Sequence, residues 1–328
     1  MKRVYYYSDE LNDDFAGTKI RHKELPVDYD YFPKNPLRRV FGFLLYRVIA
    51  TPIVFLYEKL IRREKIVNRK LLKKYGKNGY FLYANHTSAV DDAFTPTLVT
   101  FPKKAYILVN PDAVSIPVAG KLVEMLGGVP LPTDRHGMRN FHSAVLSHAK
   151  KKHCVMIYPE AHIWPYYTGI RPFPSTSFSY AAKNNVPAVP VCVIYRKPKG
   201  LFKNYLCPRV TLKVGKAVYP EANVSVKANA SAMRDKVYEF MTECSHLNEI
   251  SLYDYIKTTE KVDTRTQLRA LKIARKQRAK AKRHLYEFGK KVYGEKAPSF
   301  FTDTFSTADN EMEEALETGY LDERHPKE

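Results

Sequence analysis

Residues 79–94, GYFLYANHTSAVDDAF, carry the sharpest structural instruction in the chain. Residues 80–84 are an unbroken aromatic and aliphatic run introduced by the turn dipeptide Asn78-Gly79, which predicts a buried strand. Asn85 and His86 end the run abruptly, and Ser88 followed three residues later by Asp91 is a helix-start pattern. A histidine between the carboxyl end of a strand and a helix stands where open α/β sheets build their sites.

The spacing of His86 and Asp91 bears on chemistry. Residues five apart on one continuous helix fall on different faces, because each residue turns the helix by ~100°. The two meet only if His86 lies in the loop and Asp91, in the first helical turn, reaches back to it. A carboxylate on one imidazole nitrogen fixes the tautomer and leaves the other nitrogen able to take a proton. A plainer role is also open to both: Asp91 completing a capping box and His86 filling a turn. Asp92 reads as a solvated residue of the first turn, and without a second carboxylate cluster no metal site is expected.

Further apolar runs at 105–110, 154–158 and 186–195 read as strands, and 117–126 and 176–185 read as helices. Strand–helix units in succession predict an α/β fold with a partly parallel, mixed sheet flanked by helices. Glu160 lies just beyond the 154–158 strand, where it can share a crevice with His86. Arg135 and Arg139, in the turn-rich segment 127–141, suit a phosphate as well as solvent.

Charge and hydropathy bound the partners. The 328 residues carry a formal net charge of +20, so an anionic partner is expected: a membrane surface, a phosphorylated substrate or nucleic acid. No recognised nucleic-acid-binding motif accompanies the charge, which makes nucleic acid the weakest of the three. Cys154, Cys192, Cys207 and Cys244 lack metal-ligand spacing and read as reduced, intracellular thiols.

Residues 1–36 form a polar, tyrosine-rich arm without the apolar core of a secretory signal. Residues 37–61 are the most apolar stretch, but Arg47 and Pro52 interrupt them and Arg38, Arg39, Lys59, Arg62 and Arg63 flank them. A spanning helix needs ~20 uninterrupted apolar residues. An amphipathic helix lying in the membrane interface fits better, against the ordinary alternative of a buried helical hairpin. Residues 226–256 read as helix, 264–294 as a strongly basic helix and 302–328 as an acidic tail. The expected organisation is an arm (1–36), a membrane-associating segment (37–75), a catalytic domain (76–250) and a charged C-terminal arm (251–328).

Four segments in order resemble the glycerolipid acyltransferases typified by 1-acyl-glycerol-3-phosphate acyltransferase. The family's N-H-x-x-x-x-D block is matched by Asn85, His86 and Asp91. Gly128 to Arg135 is similar to its glycine–apolar–arginine block, with the arginine displaced. Pro159-Glu160 matches the start of P-E-G-T-R, and Val186-Pro187 through Pro190-Val191 matches V-P-x-x-P-V. After Glu160 the chain departs from the family, with Ala161, His162 and Ile163 in place of Gly-Thr-Arg, and Arg171 is the substitute for the missing arginine.

The resemblance implies an acyl transfer from acyl-CoA or acyl-carrier protein to the free hydroxyl of lysophosphatidate, giving phosphatidate, with no cofactor beyond that thioester co-substrate. His86 would be the base and Asp91 its orienting carboxylate. Asn85, Glu160, Arg135, Arg139 and Arg171 would bind substrate. The expected location is peripheral or monotopic, on an anionic membrane surface at the cytoplasmic face. Acylation of another lysolipid, or an inactive membrane- or nucleic-acid-binding protein, are the alternatives.

Overall fold

The computed structural model describes residues 3–16, 23–32, 35–75, 79–88, 90–117, 119–150, 153–200, 208–259 and 261–293. Asn78, Cys207 and the acidic segment 302–328 lie outside the described residues. Chain contacts divide the molecule into two units, Glu10–Ser251 and Met1–Asp9 with Leu252–Glu328.

In the larger unit, α1 (Pro36–Leu44) and α2 (Thr51–Leu56) alternate with π-helical turns at Leu45–Ala50 and Tyr57–Ile61 to give one helix, Pro36–Ile61. Asn35 caps its start by accepting from the Leu37 and Arg38 amides. Pro52 does not end the helix. A proline cannot donate the usual backbone bond, and here it sits at the start of α2, directly after a π turn, with the Thr51 hydroxyl donating 2.7 Å to the Tyr46 carbonyl. π turns typically absorb such a change of register.

Next come β2 (Lys65–Val67), α3 (Leu71–Tyr75), β3 (Tyr80–Ala84), α4 (Asp91–Thr100), β4 (Ala105–Val109), α5 (Pro111–Ser115), α6 (Ala119–Leu126) and β5 (Gly128–Pro130). They are followed by α7 (Gly137–Lys150), β6 (Cys154–Ile157), α8 (Ser179–Asn184), β7 (Ala188–Arg196), β8 (Arg209–Val214) and α9 (Val226–Ser245). The sheet order is β2-β8-β7-β3-β6-β4-β5. β3 to β7 run parallel, β8 is antiparallel to β7, and β2 runs parallel to β8. This is the mixed, mostly parallel α/β sheet expected from the sequence.

All five residues of β3 are buried. Phe81 and Tyr83 pack on one face with Phe141, Val145, Phe178 and Val237, while Tyr80, Leu82 and Ala84 pack on the other with Val99, Val191 and Leu212. A parallel strand covered on both faces is apolar without alternation, hence the continuous run. Gly79 starts it because a side chain there would collide with the Ala149 carbonyl oxygen, 1.9 Å from a Cβ so placed.

The smaller unit holds β1 (Arg3–Tyr7), β9 (Tyr253–Lys257) and the basic helix α10 (Thr264–Tyr293). β1 and β9 pair in parallel, Tyr5 opposite Tyr255 with their rings stacked at 5.2 Å. The helix expected over 226–256 therefore stops at Ser245, and its last part is strand. Tyr253 and Tyr255 are better satisfied by stacking across a ladder than on a helix surface. The arm likewise contains a strand, at Arg3–Tyr7.

Candidate active site

His86 follows the carboxyl end of β3, between β6 and β7 and at the centre of the sheet. Its Nδ1 lies 2.7 Å from Asp92 Oδ2, and the same oxygen accepts from the Thr87 amide at 2.9 Å and the Ser88 amide at 2.8 Å. A carboxylate on Nδ1 fixes the Nδ1–H tautomer and leaves Nε2 with its lone pair. The His86 side chain is 17% exposed, against 2% for Asp92, so the imidazole is within reach of a substrate and its carboxylate is not.

The expected pairing of His86 with Asp91 is not the one observed, and Asp92 is not a solvated helix residue. Asp91 begins α4, its amide donating to Ser88 Oγ at 3.2 Å. Its carboxylate turns the other way, forming an ion pair with the buried Arg62 and accepting from the Tyr57 hydroxyl at 3.3 Å. Adjacent helical residues point ~100° apart, so only one of the two can face the imidazole. Burial pushes the Asp91 carboxyl up, against the pull of Arg62.

Three aromatic and carboxylate groups hold the histidine loop. The Tyr158 ring stacks on the imidazole at 4.3 Å and 17°, and its hydroxyl donates to the Asp92 carbonyl at 2.5 Å. The Tyr195 hydroxyl meets Thr87 Oγ1 at 2.8 Å. Glu160, 4% exposed, accepts from the His86 amide at 3.1 Å and from the Arg171 amide at 3.1 Å. The Arg171 guanidinium, 1% exposed, lies 3.5 Å from Glu160, donates to the carbonyls of Glu10, Glu160 and His162, and stacks on Trp164. Burial raises the Glu160 carboxyl and lowers Arg171, and in each case the partner opposes that shift.

The residues expected to bind substrate therefore separate. Glu160 and Arg171 are enclosed, and the hydrogen bonds they make go to the histidine loop and to backbone. Asn85 is buried as well: its side chain accepts from the Val193 amide at 2.8 Å and donates to the Val193 carbonyl at 3.3 Å, tying the end of β3 to β7. Arg135 and Arg139 are exposed, in the turn after β5 and the first turn of α7. β5 is three strands from β3, or roughly 14 Å at the usual strand spacing.

Asp92, Arg62 and Tyr158 are the residues that sequence reasoning missed. The doubled Asp91-Asp92 was the one available signal, and the phase of the helix decides between them. Among the described residues no group of histidine, cysteine, aspartate or glutamate is arranged to hold a metal.

An oriented imidazole with one open nitrogen, at the carboxyl end of a central parallel strand, defines an α/β domain equipped to move a proton. Comparison with known families identifies it further: residues 61–194 match the family described as Acyltransferase. These residues constitute an acyltransferase-family domain, as the four sequence blocks led one to expect. A solved structure, the 1-acyl-sn-glycerophosphate (LPA) acyltransferase PlsC from Thermotoga maritima, is similar at 19% identity and a TM-score of 0.38, covering 64% of this chain and 96% of that one. No curated protein sequence matches the chain.

Proposed function

We propose that this acyltransferase moves a fatty acyl group from a thioester donor, acyl-CoA or acyl-carrier protein, to the free hydroxyl of lysophosphatidate, giving phosphatidate. The observation that carries the reading is the His86–Asp92 pair inside an acyltransferase-family domain. His86 Nε2 takes the proton of the acceptor hydroxyl as its oxygen attacks the thioester carbonyl. Asp92 stabilises the imidazolium that forms. Collapse of the tetrahedral intermediate expels the thiolate, which recovers the proton from Nε2, so the ester and free thiol leave with the histidine neutral. General-base assistance of this kind contributes ~10²–10⁴-fold. No cofactor or metal enters the scheme.

The acceptor and product are lipids, and the Pro36–Ile61 helix supports a membrane setting. Gly42, Tyr46, Thr51, Val54 and Glu58 form its buried stripe, while twelve large apolar side chains, from Leu37 and Phe41 to Leu60 and Ile61, are exposed. Arg47 is withdrawn from that face, over the Phe101 ring at 4.9 Å and bonded to the Pro102 carbonyl. An exposed apolar patch of this kind marks a contact surface. The 26-residue helix is long and apolar enough to cross a bilayer. Because one side of the helix packs on the protein and the other is apolar and exposed, our reading places it in the membrane interface, with the cytoplasmic face as the proposed side.

The test is thiol release from acyl-CoA or acyl-carrier protein by the purified protein in mixed micelles. Release with lysophosphatidate and formation of phosphatidate supports the reading. Release with other lysolipids alone replaces the acceptor, and no release with any pair refutes acyl transfer.

A further inference from the structure

The basic helix α10 has eleven lysines and arginines and one glutamate in its sequence, so its charge is not neutralised within the helix. Asp263 caps its start, accepting from the Arg265 amide at 3.0 Å and the Thr266 hydroxyl at 2.7 Å. One face is taken up by the smaller unit itself. The Gln267 side chain accepts from the Tyr6 amide at 3.3 Å and donates to the Tyr6 carbonyl at 3.4 Å, and Ala274 is buried. Gln267 and Ala274 are about two turns apart and so share that face.

Arg265, Arg269, Lys272, Lys276, Lys280 and Arg283 are exposed. At ~100° per residue these six positions fall within about 80° of one another, on the side of the helix opposite Gln267 and Ala274. They form a single row ~27 Å long, with a cation every ~4.5–6 Å along the axis. Like charges three and four residues apart on a helix repel, and an anionic plane laid along the row relieves every pair at once.

We propose that this row is a docking surface for anionic phospholipid headgroups, additional to the apolar helix Pro36–Ile61. A bilayer is flat and meets a helix along one line, which is how the six cations are arranged. A helix in a nucleic-acid groove meets backbone on both flanks and bases between them, whereas here the face opposite the row is covered by β1. The preference for lipid also rests on the acyl-transfer reading above, whose acceptor and product are anionic lipids. Each basic residue held at such a surface strengthens binding roughly fivefold at low salt, and salt screens the effect.

The experiment measures cosedimentation of the full chain with vesicles of equimolar phosphatidylcholine and phosphatidylglycerol, and of phosphatidylcholine alone, across a salt series. Arg269→Gln, Lys272→Gln and Lys276→Gln together are expected to weaken partition onto the anionic vesicles by about 100-fold at low salt and to flatten its salt dependence. The melting curve and binding to phosphatidylcholine alone are expected to stay unchanged. A control of the same net charge, with Lys183→Gln, Lys216→Gln and Lys227→Gln at exposed positions of the larger unit, is expected to lose less than about tenfold.

A wild-type chain that ignores the anionic vesicles, or a row variant that partitions as the wild type does, overturns the proposal. So does a control that loses as much as the row variant. Duplex DNA is taken through the same series, and a row variant that loses DNA but keeps the vesicles assigns the row to nucleic acid instead. Vesicle binding is read without turnover, so a wild-type protein that transfers no acyl group ends the functional reading and leaves this test standing. Phosphatidate formation in mixed micelles, with vesicle binding independent of the row, ends this proposal alone.

Discussion

Asp92→Asn tests the centre of the mechanism. Asp92 Oδ2 accepts three hydrogen bonds, from His86 Nδ1 and the Thr87 and Ser88 amides, at 2.7, 2.9 and 2.8 Å. An asparagine placed with its carbonyl in that position keeps the two amide bonds, and the loop stays in place. What disappears is the charge facing the imidazolium. A hydrogen bond to a charged group is worth ~1.5–3 kcal/mol, which at ~1.36 kcal/mol per tenfold is about 10- to 150-fold in rate. If the amide instead turns its NH2 toward Nδ1, the other tautomer is enforced and Nε2 carries the proton, which raises the loss to about 10⁴-fold. The assay is thioester consumption at saturating donor and acceptor, with a melting curve to establish folding. The expected result is a fall in kcat with KM nearly unchanged. Near-wild-type turnover in Asp92→Asn, together with an inactive Asp91→Asn, would refute the assignment and return the orienting role to Asp91.

Three further outcomes follow from the same structure. Glu58 is 0% exposed, and burial, with Glu64 and Asp91 nearby, pushes its carboxyl from 4.5 to about 9. A carboxyl raised on folding contributes stability that is fully present below its unfolded value and is lost as pH rises through the folded one. Melting temperature should therefore fall between about pH 4.5 and pH 9, and Glu58→Gln should flatten that fall; an unchanged profile sinks the assignment. Arg171→Met breaks a buried pair and should cost ~3–5 kcal/mol of stability, whereas Arg135→Gln and Arg139→Gln should leave stability unaltered. If either exposed arginine holds the acceptor phosphate, its replacement raises the acceptor KM alone, and wild-type acceptor kinetics in both variants moves the phosphate site elsewhere. Replacing Phe41, Ile53 and Phe55 by serine removes apolar side chains worth ~1.5–3 kcal/mol each when fully buried. Binding to anionic vesicles should weaken by more than tenfold and become fully sensitive to salt, and retention of salt-resistant binding would exclude this face as the anchor.

The sequence alone determined the central strands of the sheet and the position of the histidine loop at the end of one of them. The 80–84 strand was legible because burial on both faces needs an unbroken apolar run, and the Asn85-His86 break marked its carboxyl end. The 105–110, 154–158 and 186–195 strands were legible for the same reason, and the acyltransferase resemblance rested on short blocks at those strand ends. The β2–β8 side of the sheet was not legible. β2 has three residues and β8 carries Arg209 and Lys213, so neither shows the apolar run that flags a covered strand. β9 lies inside a stretch whose polarity suits a helix equally well.

Tertiary structure alone decided which carboxylate holds His86. Asp91 and Asp92 are chemically identical, and the family pattern counts to Asp91. The choice depends on the phase of α4, which is tied to Arg62 from a segment 29 residues earlier. It also decided that Glu160 and Arg171 support the histidine loop from within the core, because only packing fixes whether a loop charge is solvated or enclosed. Local spacing records which residues are near one another along the chain. The direction in which each side chain points is settled by elements distant in sequence, and here they bring Asp92 to the His86 imidazole and turn Asp91 toward Arg62.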